Sequence, residues 1–240
     1  KCQHVRIMED ERHWNDWLAR YPSLAHITRL HCLTINISHV GHTLTQLETL
    51  SLLNMDSGDL DEIPDLPPNI HTLHMTLYHG QFTHWAQFDF PPLLRHISLD
   101  LYPSRDPIDT FLQPLAGLIY LESLIVDRVV LWEPEGRFPD FKQWPNLTHL
   151  NLCLQSVALA HQILAAVPTT QWRHLELGLN RDIVDDNASR PGLFEGLEEA
   201  DWQHLEHLTI THYDFLIHAN MLKHFSGLRE FTVTDAPAVL

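Results

Sequence analysis

Apolar residues recur along this chain with one spacing. Nine segments each carry an apolar residue that is followed, three and then five positions later, by two more. In Leu147-Thr-His-Leu-Asn-Leu-Cys-Leu154, for example, Leu150, Leu152 and Leu154 alternate with other residues. This period-two alternation predicts a β-strand with one apolar and one polar face. The nine copies are Leu30–Leu33–Ile35, Leu47–Leu50–Leu52, Ile70–Leu73–Met75, Leu94–Ile97–Leu99, Leu121–Leu124–Val126, Leu147–Leu150–Leu152, Trp172–Leu175–Leu177, Leu205–Leu208–Ile210 and Leu228–Phe231–Val233.

The distance between copies indicates how the strands are connected. Successive copies begin 17 to 33 residues apart, and most steps are 23 to 27 residues. A βαβ unit of a doubly wound or barrel fold needs about 30 or more residues, and its strands are apolar on both faces. We therefore predict a solenoid in which each repeat adds one strand to a parallel sheet whose polar face is open.

The connecting segments differ from one another. Helical spacing of apolar residues predicts helices at residues 157–167 and 215–225, and a shorter one at 109–118. The turn-rich segment 56–68 and the polar segment 180–200 predict irregular loops instead.

The N-terminal segment is predicted to cover the open end of the repeat stack. Aromatic and apolar residues lie at helical spacing within residues 9–25, and a terminal repeat exposes its core unless something caps it. We assign residues 1–29 to an N-terminal capping helix region and residues 30–240 to the solenoid of about nine repeats. Val5 and Ile7 predict one further strand upstream.

The L-x-x-L-x-[LIV] copies resemble the leucine-rich-repeat superfamily over about residues 30–234. The resemblance implies an α/β fold, a leucine-rich-repeat solenoid with a curved parallel sheet on its concave side and short helices and loops on its convex side. The regular family pattern places Asn or Cys three residues after the last apolar position of the motif. Here only Asn180 follows that rule, and the repeat lengths are uneven.

This irregularity resembles the repeats of F-box proteins, particularly the divergent fungal ones. The segment Tyr21-Pro-Ser-Leu-Ala-His-Ile-Thr-Arg-Leu30 is similar to the stretch immediately C-terminal to the F-box in that family. The F-box itself, an apolar helical motif that begins L-P-x-E, does not occur in this sequence. The resemblance implies a protein-binding module that recognises substrates for an F-box-type ubiquitin ligase.

The net charge of the chain indicates which kinds of macromolecule it can bind. The formal net charge is −16, and the chain contains 19 histidines. An acidic surface repels phosphate backbones, so we expect no nucleic-acid partner and a basic protein partner. No apolar run reaches the about 20 residues of a membrane-spanning helix, so we expect no membrane partner. The histidines make the net charge strongly dependent on pH between about 5 and 7.

Cysteine usage and glycosylation sequons favour different compartments. Three widely spaced cysteines without a C-x-x-C pair exclude a disulfide framework and a zinc ribbon. This usage favours the reducing cytoplasm or nucleus. The N-x-[ST] sequons at Asn36, Asn146 and Asn187 favour the alternative, a secreted protein that carries glycans.

The repeat register aligns outward residues in columns, with neighbouring strands about 4.8 Å apart. His149, His174 and His207 fall on consecutive strands of the first column. We predict that a protein partner binds along this face, which contains His74, His96, Ser98, Asp100, Asp127, His149, Asn151, His174, Glu176, His207, Thr209 and Thr211.

The same columns suggest less favoured functions. His149, His174 and His207 would share a Zn²⁺ or Cu²⁺ ion, or they would make binding sensitive to pH because charged imidazoles repel one another. Cys153 near His149 is similar to a catalytic Cys–His pair, but an open sheet face rarely closes an active site. We therefore predict a protein-interaction module without enzyme activity, cofactor or dedicated metal site. The alternative is a secreted lectin-like or other recognition protein.

Overall fold

The protein forms one parallel β-sheet with its strands in sequence order. The computed structural model describes residues 3–7, 21, 25–32, 44–56, 66–78, 88–132, 141–166, 171–179, 202–211 and 225–234. The strands are β1 His4–Ile7, β2 Arg29–Cys32, β3 Thr49–Asp56, β4 Thr72–Tyr78, β5 His96–Pro107, β6 Ser123–Trp132, β7 His149–Leu154, β8 His174–Leu179, β9 His207–Thr211 and β10 Glu230–Thr234.

The strand order confirms the predicted repeat solenoid. The ten strands of the described residues belong to one sheet in the order β1 to β10, and each pairs in parallel with the next, as in β7 with β8. Strand β1 confirms the predicted strand upstream of the nine copies and pairs with β2. Because each repeat adds one parallel strand next to the previous one, the architecture is that of a repeat solenoid.

The inward leucines of the motif build a continuous core. Leu150 of β7 lies opposite Leu124 of β6 and Leu175 of β8, and its exposed fraction is 2%. Leu152, two residues further on, is fully buried. Each such leucine contributes about 1.5–3 kcal/mol through removal of its apolar surface from water. The core of the described residues extends from Ile27 to Phe225.

Polar side chains tie three of the turns to the repeat before them. The Asn or Gln that precedes the first motif residue donates to a backbone carbonyl of the previous repeat. In regular leucine-rich repeats the hydrogen-bonding Asn or Cys follows the strand, whereas here the Asn or Gln precedes it. The sequence pattern did not predict these bonds. The bonds are Asn69 Nδ2 to Thr45 O (2.7 Å), Asn146 Nδ2 to Ile119 O (2.9 Å), and Gln171 Nε2 to Trp144 O (2.6 Å) and Leu147 O (2.7 Å).

Tryptophans fill the layer of connectors. The indole Nε1 of Trp144 donates to the carbonyl of Leu115 in the preceding repeat at 2.8 Å, so a large apolar ring is buried with its polar atom satisfied. Trp202 is buried at the equivalent position, three residues before Leu205, whereas Trp172 is buried as the first residue of its own motif. Trp132 is an exception, because it lies in β6 and not in a connector.

Two short helices lie among the described connectors. Helix α1, Ile108–Leu112, continues as a 3₁₀ turn, Gln113–Leu115, so the helix predicted at 109–118 is shorter than expected. Helix α2, Val157–Ala166, confirms the prediction at 157–167. The hydroxyl of Ser156 accepts a hydrogen bond from the backbone N–H of Leu159 (3.1 Å), which caps the start of α2.

Three strands carry irregularities near their C-terminal ends. The register shifts in β3 between Leu52 and Met55, in β5 between Asp100 and Ser104, and in β6 between Val126 and Val130. Extra residues of this kind change which side chains face each other beyond the shift. The columns are therefore regular at the N-terminal ends of the strands and interrupted at the other ends.

Several predictions fall outside the described residues. These are the helix at 215–225, the loop at 180–200, and most of both the capping helix and the loop at 56–68. The boundary between a capping region and the solenoid stays a prediction. Within the described part of the chain, no helix has the length and apolar character needed to span a membrane.

Candidate protein-binding face

The first outward column crosses the whole sheet. Because each strand begins at an equivalent position, the register places these side chains side by side on neighbouring strands. This confirms the predicted neighbourhood of His149, His174 and His207. In order from β1 to β10, the column contains His4, Arg29, Thr49, Thr72, His96, Ser123, His149, His174, His207 and Glu230.

Three imidazole rings in this column are stacked face to face. The ring centroids of His149 and His174 lie 4.0 Å apart with planes inclined by 18°. Those of His174 and His207 lie 4.3 Å apart with an inclination of 15°. At the far end, His207 Nδ1 lies 3.1 Å from Glu230 Oε2. The described residues offer no hydrogen-bond partner to the buried Nδ1 of His174.

Burial favours the neutral form of two of these rings, His149 and His174. Burial lowers the pKa of His174 from its usual value, and His149 and His207 lower it further. Burial also lowers the pKa of His149, with His96 as the next largest cause. At neutral pH the lowered pKa values therefore favour uncharged rings at His149 and His174.

The stacked geometry does not suit a shared metal ion. A metal ion bound by imidazole lies in the plane of the ring, and the three planes here are nearly parallel, so their nitrogens do not converge. Among the described residues, no group of three or more His, Cys, Asp or Glu side chains is arranged to hold a metal. Chelation by His149, His174 and His207 would require the rings to rotate out of the stack.

The second column is polar except at its centre. It contains the predicted residues His74, Ser98, Asn151, Glu176 and Thr209, and it continues the register without interruption. Ile125 of β6 lies between Ser98 and Asn151, so an apolar side chain occupies the middle of the face. Burial raises the pKa of Glu176, and the nearby Asp127 raises it further.

The third column differs from the prediction. Thr76, Asp100 and Asp127 are neighbours as expected. Cys153 was expected beside Asp127, but the register shift in β6 pairs it with Val130 instead. Cys153 does lie beside Gly178, and Gly178 beside Thr211.

The state of Cys153 argues against nucleophilic chemistry. Burial raises the pKa of its thiol, and Asp127 raises it further. The thiolate is the reactive form of cysteine, and a raised pKa reduces its population at neutral pH.

A ladder of mostly charged residues borders the first column. These residues immediately precede each strand, and the strand alternation alone did not identify them. Their signal was nevertheless present, because each follows the first apolar residue of the motif. In order, they are Glu48, His71, Arg95, Glu122, Thr148, Arg173, Glu206 and Arg229, and backbone hydrogen bonds link each one to the next.

Opposite charges pair along this ladder. Arg95 Nη1 lies 3.0 Å from Glu122 Oε1. Glu206 stands between two arginines, with Oε1 at 3.8 Å from Arg173 Nη1 and Oε2 at 3.2 Å from Arg229 Nη1. The edge of the face therefore carries both positive and negative side chains.

The structure brings the predicted site residues onto one surface. All twelve lie in β4 to β9, and none of them is fully buried. Their role in binding stays a prediction.

Comparisons with known proteins add little to this description. No protein-family model and no curated protein matches the chain. Among solved structures it is similar to a chain of an octameric complex of Latrophilin 3 (Lec, Olf), Unc5D (Ig, Ig2, TSP1) and FLRT2 (LRR). The sequence identity is 17%, the match covers 87% of this chain and 75% of that chain, and the TM-score is 0.39. At this score the likeness carries no argument, so the architecture rests on strand order and register.

Proposed function

We propose that the protein is a protein-interaction module that binds its partner along the outward face of β4 to β9. The single observation that carries the proposal is the first outward column, which is polar and in register on every strand from β4 to β9. Such a sheet offers a long surface with many hydrogen-bonding groups at fixed spacing. Ile125 adds an apolar contact at its centre, where interfaces concentrate binding energy.

The proposal includes the absence of enzyme activity. Burial lowers the pKa values of His149 and His174 and raises the pKa of the Cys153 thiol. Cys153 lies beside Val130 and Gly178 and not beside a histidine, and a protonated thiol is not an activated nucleophile.

The intracellular location is also a proposal. Asn146, one of the three sequon residues, donates its side-chain N–H to the carbonyl of Ile119, so the fold already uses the amide that a glycan would modify. Cys32 and Cys153 are free thiols, which suits a reducing compartment. Intact-mass analysis of the native protein tests this point, because hexose additions would favour the secreted alternative.

A finer form of the proposal is substrate recognition for an F-box-type ubiquitin ligase. Its support is the resemblance of the uneven repeats and of residues 21–30 to fungal F-box proteins. The test is whether the full-length gene product co-purifies with the other subunits of such a ligase. The interaction module itself does not depend on the outcome.

The binding face can be tested with one pair of substitutions. Ile125→Arg changes the centre of the face, and Ala165→Arg places the same charge on the exposed side of α2. We expect proteins that the wild-type chain captures from its source cells to be retained by Ala165→Arg and lost by Ile125→Arg. Equal capture by all three chains would contradict the proposal.

A further inference from the structure

The row of imidazoles contains one gap. In the first column, His96 of β5 and His149 of β7 flank Ser123 of β6. Neighbouring strands are about 4.8 Å apart, so the two histidine backbones are about 9.6 Å apart with a small side chain between them. No ring contact joins His96 and His149 among the described residues, although His96 lowers the pKa of His149. We call the space above Ser123 the serine slot.

The slot has the thickness of one planar group. The stacked rings on its β7 side are spaced 4.0 and 4.3 Å apart. A planar group midway between His96 and His149 would lie about 4.8 Å from the backbone of each of these residues, which is close to the spacing of the stacked rings. One face of His149 contacts His174, and the opposite face is directed toward the Ser123 side of the column.

A carboxylate oxygen stands at the edge of the slot. Glu122 precedes Ser123, and its Oε1 pairs with Arg95 Nη1 at 3.0 Å. Its Oε2 lies 3.9 Å from His96 Nε2, which is too long for a hydrogen bond. The described residues donate no hydrogen bond to this oxygen.

Another glutamate of the protein shows how both oxygens of such a carboxylate can be paired with arginines. Glu206 occupies the same ladder position as Glu122, and it contacts an arginine on each side, Arg173 and Arg229. Glu122 has Arg95 on one side, but the ladder position on its other side is Thr148. Glu206 therefore has an arginine on both sides, whereas Glu122 has an arginine on one side and an uncharged residue on the other.

We propose that the serine slot binds an arginine side chain of the protein partner. The guanidinium is planar, stacks on aromatic rings and pairs with carboxylates, so it fits between His96 and His149 and reaches Glu122 Oε2. Its aliphatic stem would lie over Ile125, two residues beyond Ser123 on the same face of β6. This inference rests on the proposed function and names the partner group for its central contact.

A small-molecule probe tests the slot without the partner. The full chain, labelled with ¹³C on its histidines, would be titrated at pH 7.5 with N-acetylarginine methylamide. We expect saturable shifts of the ring signals of His96 and His149. N-acetyllysine methylamide, which has the charge without the plane, should shift them at least tenfold more weakly. Equal responses to the two probes, or no response to arginine, would overturn the inference.

Two variants and their controls sharpen the test. Ser123→Trp fills the slot and should abolish the arginine response, whereas Thr232→Trp, on β10 of the same face, should preserve it. Glu122→Gln should weaken the affinity about tenfold through loss of a charge-assisted hydrogen bond, whereas Glu48→Gln should not. Binding that survives both Ser123→Trp and Glu122→Gln would contradict the slot. A failed probe together with partner capture that depends on Ile125 would reject the slot alone and leave the proposed function standing.

Discussion

His149 and His174 stack face to face on neighbouring strands, with ring centroids 4.0 Å apart and planes inclined by 18°. Both rings carry lowered pKa values, because burial and neighbouring cations disfavour their charged forms. Arg173 lowers both pKa values, while Glu122 opposes the effect at His149 and Glu206 opposes it at His174. The stack is therefore a structural element that depends on the neutral state of its members.

The first prediction concerns acid stability. An unfolded histidine titrates near pH 6.5, so above that pH both states are neutral and the stack contributes in full. As the pH falls below about 6.5, the unfolded chain takes up protons that the folded rings exclude, and the free energy of unfolding falls. His31 and His74, whose pKa values burial also lowers, add to this loss.

The test is a comparison of melting temperatures at pH 7.5 and 5.5. His174→Phe keeps an aromatic ring in the stack and removes one titrating group, so its melting temperature should fall less than that of the wild type. His204→Phe, at an exposed turn position, is the control and should fall as much as the wild type. If the melting temperature of His174→Phe falls as much as that of the wild type between pH 7.5 and 5.5, the stack is not the cause of the loss of stability in acid.

The second prediction concerns the ladder of turn amides. Asn146→Ala removes the hydrogen bond to the carbonyl of Ile119 and should cost about 1 kcal/mol. Gln171→Ala removes two such bonds and should cost about 2 kcal/mol. Urea unfolding measures both. Asn151→Ala, which loses only a 3.4 Å contact with Asp127 on the exposed face, should change stability by less than about 0.5 kcal/mol. Equal losses in all three variants would show that the ladder is not structural.

The third prediction concerns two glycines in turns. A Cβ on Gly227 would overlap the carbonyl oxygen of Gln203 in the preceding repeat, whereas a Cβ on Gly117 would meet nothing within 4 Å. Gly227→Ala should therefore destabilise the protein by about 1–3 kcal/mol. Gly117→Ala should be neutral or stabilising by up to about 1 kcal/mol. Thermal unfolding of the two variants checks this, and a neutral Gly227→Ala would show that the two turns do not approach as closely as described.

The repeat architecture was predictable from sequence because it depends on one local rule. Leu124, Leu150 and Leu175 are buried next to one another, and the same spacing of apolar residues recurs in every copy. A one-residue slip of any strand would turn its apolar side chains toward water, so the pattern determines the register. The first and second columns follow directly from that register.

Other features depend on interactions that the pattern does not contain. The pairing of Cys153 with Val130 results from extra residues in β6, which the alternation of apolar and polar positions does not encode. The stacking of His149 on His174 is a matter of side-chain rotamers, which strand spacing leaves open. The pairing of Arg95 with Glu122 involves positions just before the strands, outside the alternation that identified the face.

The central claim is that partners bind the outward face of the sheet, and site-specific photo-crosslinking tests it most directly. The photoreactive residue p-benzoylphenylalanine would replace Thr209 on β9 or, as the control, Ala165 on α2, in the full chain expressed in its source cells. The account predicts a protein adduct that forms on irradiation of the Thr209 variant and is absent from the Ala165 variant. An adduct that forms only at Ala165, or equally at both positions, would contradict it.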